Sequence, residues 1–577
     1  MPTTDSRWQL EQLYTVNEIK QIVKTFEKQL DQLDEARLSL RSQVSLFEGL
    51  MAQAEELSDF IYCLYAEDVS RAEIADLLDQ AERIQARLKG SETLLEKRLR
   101  HVPEAEWEAL TKITSFYYLT ERYEIAKRRL SAEQEQLIQN LGIDGFSAWE
   151  QLYEQRLIGL RIPLERGAVT IGEAMYQAVN GLTREDRQTA AEAVEALCVS
   201  ESDDFAFLLN RIAGYRLQVY AKRGWSDVIM EMCEQNRIQR KTIEAMLTAI
   251  DQDRPLFQSY YARKLVVAQI KEPSWHDLES TSFTSDRHVP YETAQAVILK
   301  QFNRLDSGLA DFTKHVFEAG WVDAENRPGK AEGGFCASFP VQKESRIFMT
   351  YRQAYQDVVT LAHELGHAYH NSLLYDLPFL DQIKGTSVAE TASTFMENLV
   401  LDAVIEQSQQ EEKVALLEIK IQEGLKYAGV IPNLFRFEQR FYAERQHGPV
   451  SGTRMTELMQ EEEADLYGEL IRSTAPFKWV YIGHLYSTDK PFYNIPYTVG
   501  YLLSNRLYMS VKQSKSAFVC QFEPLLRDSG QATIEELIER HLGEDPQSVE
   551  FWKQSLTPLR ESISLYMNET DSLIPVD

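Results

Sequence analysis

The sequence predicts a mostly α-helical protein, and three observations carry that prediction. Glycine and proline, the residues that interrupt helices, number only 26 and 18 among 577 positions, so long unbroken helices are expected. Apolar residues recur at three- and four-residue steps through much of the chain, as they do along one face of a helix. Segments with strand-like alternation are confined to two short regions.

Hydrophobic residues at 44% and charged residues at 26% are ordinary globular usage, which excludes wholesale disorder and a membrane-embedded protein. No run approaches the roughly 18 apolar residues that cross a bilayer. The 61 basic and 89 acidic side chains leave a formal charge of -28. Such a surface repels phosphate backbones and anionic lipid alike, so neither nucleic acid nor a membrane is an expected partner. The five cysteines, Cys63, Cys198, Cys233, Cys336 and Cys520, are scattered and include no Cys-x-x-Cys pair, which argues against a disulfide framework and against a thiolate metal cluster. The N-terminal residues lack a basic segment followed by an apolar one, and the cytoplasm is the expected compartment.

Taken in order, residues from about 16 to 100 read as amphipathic helix, with Ile19, Ile22, Val23, Phe26, Leu30 and Leu33 on one face. A helical hairpin is the simplest form. Residues 1–110 are assigned to an N-terminal helical lobe and 111–185 to a connecting segment of that lobe. Ser131-x-x-Gln134 and Ser147-x-x-Glu150 have the form of capping boxes, with Gly142 and Gly145 as punctuation between them. Ile158, Leu160, Ile162 and Leu164 alternate within 156–170 and predict a strand. Helical patterning resumes at Thr183, and the main boundary is placed near residue 185, with 186–577 as one large domain. A loop-rich insert covers about 273–290, and another helix runs to about Gly320. Gly333 to Phe339 and Ser345 to Thr350 flank Pro340 and predict a small antiparallel sheet.

The most informative motif is His363-Glu364-Leu365-Gly366-His367, set in a stretch with helical spacing. Residues i and i+4 stack on one helix face, so His363 and His367 can offer ring nitrogens to one zinc ion, while Glu364 stands beside a metal-bound water. A catalytic zinc commonly takes three protein ligands and keeps one position open. A third histidine in the His-x-x-Gly-x-x-His pattern would need Gly at 370 and His at 373, where the chain has His370 and Leu373. A glutamate on a second helix is the remaining common solution. Glu390 and Glu397 lie two turns apart behind Thr386 and Ser387. Glu390, near the helix start and flanked by the small residues Ala389, Ala392 and Ser393, is assigned as ligand. Glu397 is assigned as the acceptor that fixes a ligand histidine's tautomer. His370 is assigned to packing.

These blocks, Thr360-Leu-Ala-His-Glu-Leu-Gly-His-Ala-Tyr-His370 and Val388-Ala-Glu-Thr-Ala-Ser-Thr-Phe-Met-Glu397, together with His484 and Pro491-Phe-Tyr-Asn-Ile-Pro-Tyr497, resemble the thimet oligopeptidase-like zinc metallopeptidases, in particular the oligoendopeptidase F branch. The resemblance covers about residue 190 to the C-terminus. It implies a bowl-like, two-lobed helical fold with a deep cleft, one zinc per chain, and endopeptidase action on short peptides. It carries the zinc-ligand roles onto His363, His367 and Glu390, and the general-base role onto Glu364. The family also uses a histidine and tyrosines of a mobile loop to bind the substrate carbonyl and the oxyanion. Those roles fall on His484, Tyr493 and Tyr497, with Tyr501 competing, because Ser487 to Lys490 lengthens the loop. A phenol suits the task, being a neutral donor at pH 7. The Gly333 to Phe339 strand could pair through its edge with an extended peptide, with Gly333 and Gly334 leaving room for a second backbone.

The expected function is therefore a zinc oligopeptidase. A carboxypeptidase or aminopeptidase on the same scaffold would differ in groups that clamp a substrate terminus. A non-catalytic peptide-binding protein would have no chemical need for Glu364.

Overall fold

Ser39 caps a helix by accepting a hydrogen bond from the Ser42 N–H at 3.1 Å, and that helix is the middle one of three where a hairpin was expected. In the computed structural model, which describes residues 6–574 except 35–37, 112–115, 166, 284–287, 332 and 472–473, these are α1 (Val16–Asp34), α2 (Leu40–Glu67) and α3 (Ala72–Leu99). The apolar stripe read from the sequence faces inward. Ile19, Val23, Phe26, Leu30 and Leu33 are buried, and Ile22 packs against them in part.

Strands are few and short: β1 (Ile162–Leu164), β2 (Gly167–Val169), β3 (Val322–Asp323), β4 (Gly334–Phe339) and β5 (Glu344–Met349). The strand prediction around residue 160 holds only in part, because Ile158 belongs to the helix Ala148–Gly159 and the β1–β2 hairpin begins at Ile162. Four alternating apolar residues are too few to separate a strand from the last turn of a helix. Gly142 and Gly145 do not interrupt the chain either, since Ile143–Ser147 is a wide helical turn that runs straight into Ala148–Gly159. Ser147 therefore has helical backbone angles and makes no side-chain cap.

The sheet expected to be antiparallel has a third, parallel strand. Its order is β3-β5-β4, with β4 antiparallel to β5 from Gly334↔Met349 to Phe339↔Glu344, and β3 parallel to β5. The addition is brief and the sequence carries no alternation there. A buried charge cluster fixes it: Asp323 pairs with Arg327 at 2.7 Å and Lys330 at 2.9 Å, and Lys330 also donates to the Met349 carbonyl at 2.6 Å. The other face of the sheet enters the N-terminal core, where Ala337, Phe339 and Phe348 pack with side chains of α1 to α3.

Two compact units account for the chain, and both are discontinuous in sequence. The first contains residues 1–132, 286–403 and 507–543, and hence α1 to α3 and the three-stranded sheet. The second contains 133–285, 404–506 and 544–577. Its longest element, Arg184–Arg223, opens with a Thr183–Asp186 capping box and ends at Gly224, whose φ of 73° suits a residue without a side chain. Among the described residues, no helix is long and apolar enough to cross a membrane.

Candidate metal centre

Helix α4 (Tyr355–Leu374) carries the His-Glu-x-x-His motif in the first unit. Its partners are the short helix α5 (Thr386–Ala389) and α6 (Thr391–Gln407), with Glu390 at the joint between them. Gly366, inside the motif, lets the two segments approach. A Cβ there would stand 2.6 Å from the Ser393 Cα and 2.7 Å from the Ala392 carbonyl oxygen, inside van der Waals contact.

That approach brings three predicted ligands together. The Nε2 atoms of His363 and His367 are 3.1 Å apart. The Glu390 Oε2 lies 3.5 Å from the first and 3.4 Å from the second. A tetrahedral zinc with bonds of about 2.0–2.1 Å has ligand–ligand edges of about 3.3–3.4 Å, and all three edges lie within about 0.2 Å of that range. Two imidazole nitrogens and a carboxylate oxygen are a usual ligand set for zinc. The donor set thus suits a divalent metal ion.

Neighbouring groups fix these side chains. His363 donates from Nδ1 to Glu397, which leaves Nε2 free to face the centre. Ser393 donates to Glu390 Oε2 at 3.0 Å. Burial disfavours a charge on His363, but the Glu397 hydrogen bond and the nearby carboxylates outweigh it and raise its pKa to about 9. Burial likewise works against ionised Glu390, yet its contacts with His367 and His363 lower its pKa to about 2. The excess of negative charge around two imidazoles favours a cation.

Glu364 points elsewhere. It is 5% exposed, burial raises its pKa, and its Oε2 has no hydrogen-bond partner among the described residues. An unpartnered buried carboxylate oxygen is costly unless it serves a bound group. Its other oxygen lies beneath β4, 3.3 Å from where a Cβ on Gly334 would stand. Gly333, at φ +100°, has open space around its missing side chain. His370 is fully buried, with Nε2 against the Leu526 carbonyl and the Ser529 hydroxyl, a packing role as expected.

The predicted loop residues lie in the second unit and form their own cluster. The rings of His484 and Tyr493 are 4.3 Å apart, and those of His484 and Tyr497 are 5.8 Å apart and parallel. His484 Nδ1 donates to the Asn494 side-chain carbonyl at 2.9 Å, and the Tyr497 hydroxyl lies 3.4 Å from that of Tyr493. Tyr501 is buried and stacks on Tyr427. The sequence reading missed Asn494, and it treated Ser393 as merely small.

Part of the chain is similar to known peptidases. Residues 292–556 match the sequence profile of peptidase family M3. This stretch belongs to peptidase family M3. The M3 stretch contains the whole His-Glu-x-x-His segment, Glu390 and the loop cluster. An oligoendopeptidase F homolog of Lactococcus lactis subsp. lactis is 22% identical over 327 residues, 55% of this chain and 53% of that protein. The oligopeptidase PepF of Bacillus subtilis is 25% identical over 310 residues, 52% of this chain and 46% of that protein. The matched region thus spans about half the length of these curated relatives. At the level of fold, the oligoendopeptidase F of Enterococcus faecium superposes with a TM-score of 0.70 at 15% identity, covering 96% of this chain and 99% of that one.

Proposed function

We propose that this protein is a zinc-dependent endopeptidase acting on short oligopeptides in the cytoplasm. The observation that carries the reading is the His363–His367–Glu390 triangle, sized for zinc, beside a buried carboxylate beneath the edge of β4. The match of residues 292–556 to peptidase family M3 and likeness to oligopeptidases support it.

One zinc ion held by these three residues would act as a Lewis acid on a peptide carbonyl and ease deprotonation of water. The protein's own groups do the rest. Glu364 takes the proton of the attacking water and later delivers it to the leaving amine, a task suited to a carboxylate whose pKa is raised by burial. Glu397 holds His363 in the tautomer that leaves Nε2 available. The β4 edge orients the substrate by backbone pairing, with open space beside Gly333 for a second strand and the bare face of Gly334 making room for Glu364 beneath.

Digestion of a mixed peptide library by the zinc-loaded protein, with products read by mass, tests the proposal. Internal cuts in peptides blocked at both ends are expected, and native globular proteins should stay intact. A requirement for a free terminus would indicate an exopeptidase. Retention of peptides without any cleavage would indicate a binding protein.

A further inference from the structure

Resting on the peptidase reading, the edge of β4 has a definite end. Antiparallel strands alternate between residue pairs bonded across the ladder and pairs whose N–H and C=O groups point outward. The Ile347 N–H is donated to the Trp321 carbonyl at 2.9 Å, on the β3 side. The pair Cys336↔Ile347 is therefore not bonded across β4 and β5, and Cys336 directs its backbone groups to the free edge. By the same alternation Gly334 and Ser338 do so too. Among the described residues, no partner occupies the outward N–H of Gly334 or Cys336. That of Ser338 is taken: Asp59, on α2, accepts it through Oδ2 at 2.6 Å. Further along, Glu56 of the same helix accepts the N–H groups of Val341 at 2.8 Å and Gln342 at 3.2 Å.

We infer that Asp59 is a specificity-determining residue that ends the substrate-pairing edge at Ser338 and limits how many residues the site holds on the N-terminal side of the cleaved bond. Gly334 stands over Glu364, so the substrate residue beside Gly334 is at the reaction centre. Antiparallel pairing, the more stable ladder per residue, then runs the N-terminal side of the substrate from Gly334 toward Ser338. Cys336 bonds the residue two positions earlier. Ser338 would bond the residue four positions earlier, the fourth or fifth before the cut, over a distance of about 13 Å. A carbonyl arriving there meets the Asp59 carboxylate, acceptor against acceptor, in place of a free N–H. Asp59 is itself only half-buried, as a group bordering an accessible edge should be.

The test uses the zinc-loaded full-length protein and peptides lengthened one residue at a time before a fixed cleavage site. In the unmodified protein kcat/KM should rise over the first three residues and gain nothing at the fourth or fifth. Asp59→Ala frees the Ser338 N–H, and one of those two steps should then add about 2- to 10-fold, the worth of one net hydrogen bond. Cleavage of the short members should be unchanged. Glu55→Gln, which removes a neighbouring charge and leaves the N–H capped, should keep the unmodified profile. A rise that continues through the fifth residue in the unmodified protein overturns the inference without any variant. So does a folded Asp59→Ala protein with the unmodified profile, or a Glu55→Gln protein that relaxes equally. Each of these leaves the peptidase reading standing, whereas failure of the unmodified protein to cut any peptide removes both.

Discussion

Glu364 and Glu390 are both carboxylates beside the same pair of imidazoles, yet their surroundings separate their tasks. Glu390 is held ionised by the histidines and oriented by Ser393, while Glu364 has a bare oxygen and a pKa raised by burial. Glu364→Gln should therefore lose about 10²–10⁴ in turnover while still binding zinc. Metal analysis beside a rate assay checks this, and retention of a tenth of the activity would end the general-base assignment. With the proposed ligands, Glu390→Ala would remove a metal bond, whereas Glu397→Ala removes only the acceptor behind His363, a change that typically costs about 10–100-fold. Chelator competition should show the first variant losing zinc well before the second. The reverse order would exchange their roles. The placement of these side chains is readable in the sequence because it depends on helical periodicity: four residues put two histidines on one face, and seven separate Glu390 from Glu397. The contact of Asp59 with Ser338 follows no such period, since it spans 279 positions between a helix and a strand edge.

At the level of elements, the site depends on the separation of α4 from the start of α6. Gly366→Ala would push a methyl group into the Ser393 backbone, which has no flexible end to move aside. A loss of ~1–3 kcal/mol is expected from overpacking, together with weaker zinc binding because Glu390 moves with α6. Thermal unfolding and zinc titration of the variant measure both. Unchanged zinc affinity would show that the ligands tolerate a wider spacing. The helices were legible because their stripes are long, and β4 and β5 because a turn at Pro340 separates two apolar runs. Failures fell on short elements. Two residues of β3 leave no pattern, and Ile158 to Leu164 alternates across a boundary between helix and strand.

Across the whole molecule, a linear division at residue 185 cuts through a core. Ala337, Phe339 and Phe348, which belong to the sheet above Glu364, are buried among side chains from residues 8–119. Removal of residues 1–185 should therefore give a protein without a cooperative thermal transition, and not an enzyme with a wider substrate range. Circular dichroism melting of the truncated chain decides between these. A sharp transition with retained peptide cleavage would show that the remaining residues form a core of their own.

The interleaving of the two units also bears on how the protein is made. The first unit draws on residues 1–132, 286–403 and 507–543, so its opening helices leave the ribosome long before the strands that cover them. At ~5–20 residues per second the roughly 234 residues between α3 and β4 take about 12–47 s. Throughout that interval the apolar stripes of α1 to α3 have only one another for company, which marks the nascent chain as a client for chaperones that shield exposed apolar surface during synthesis.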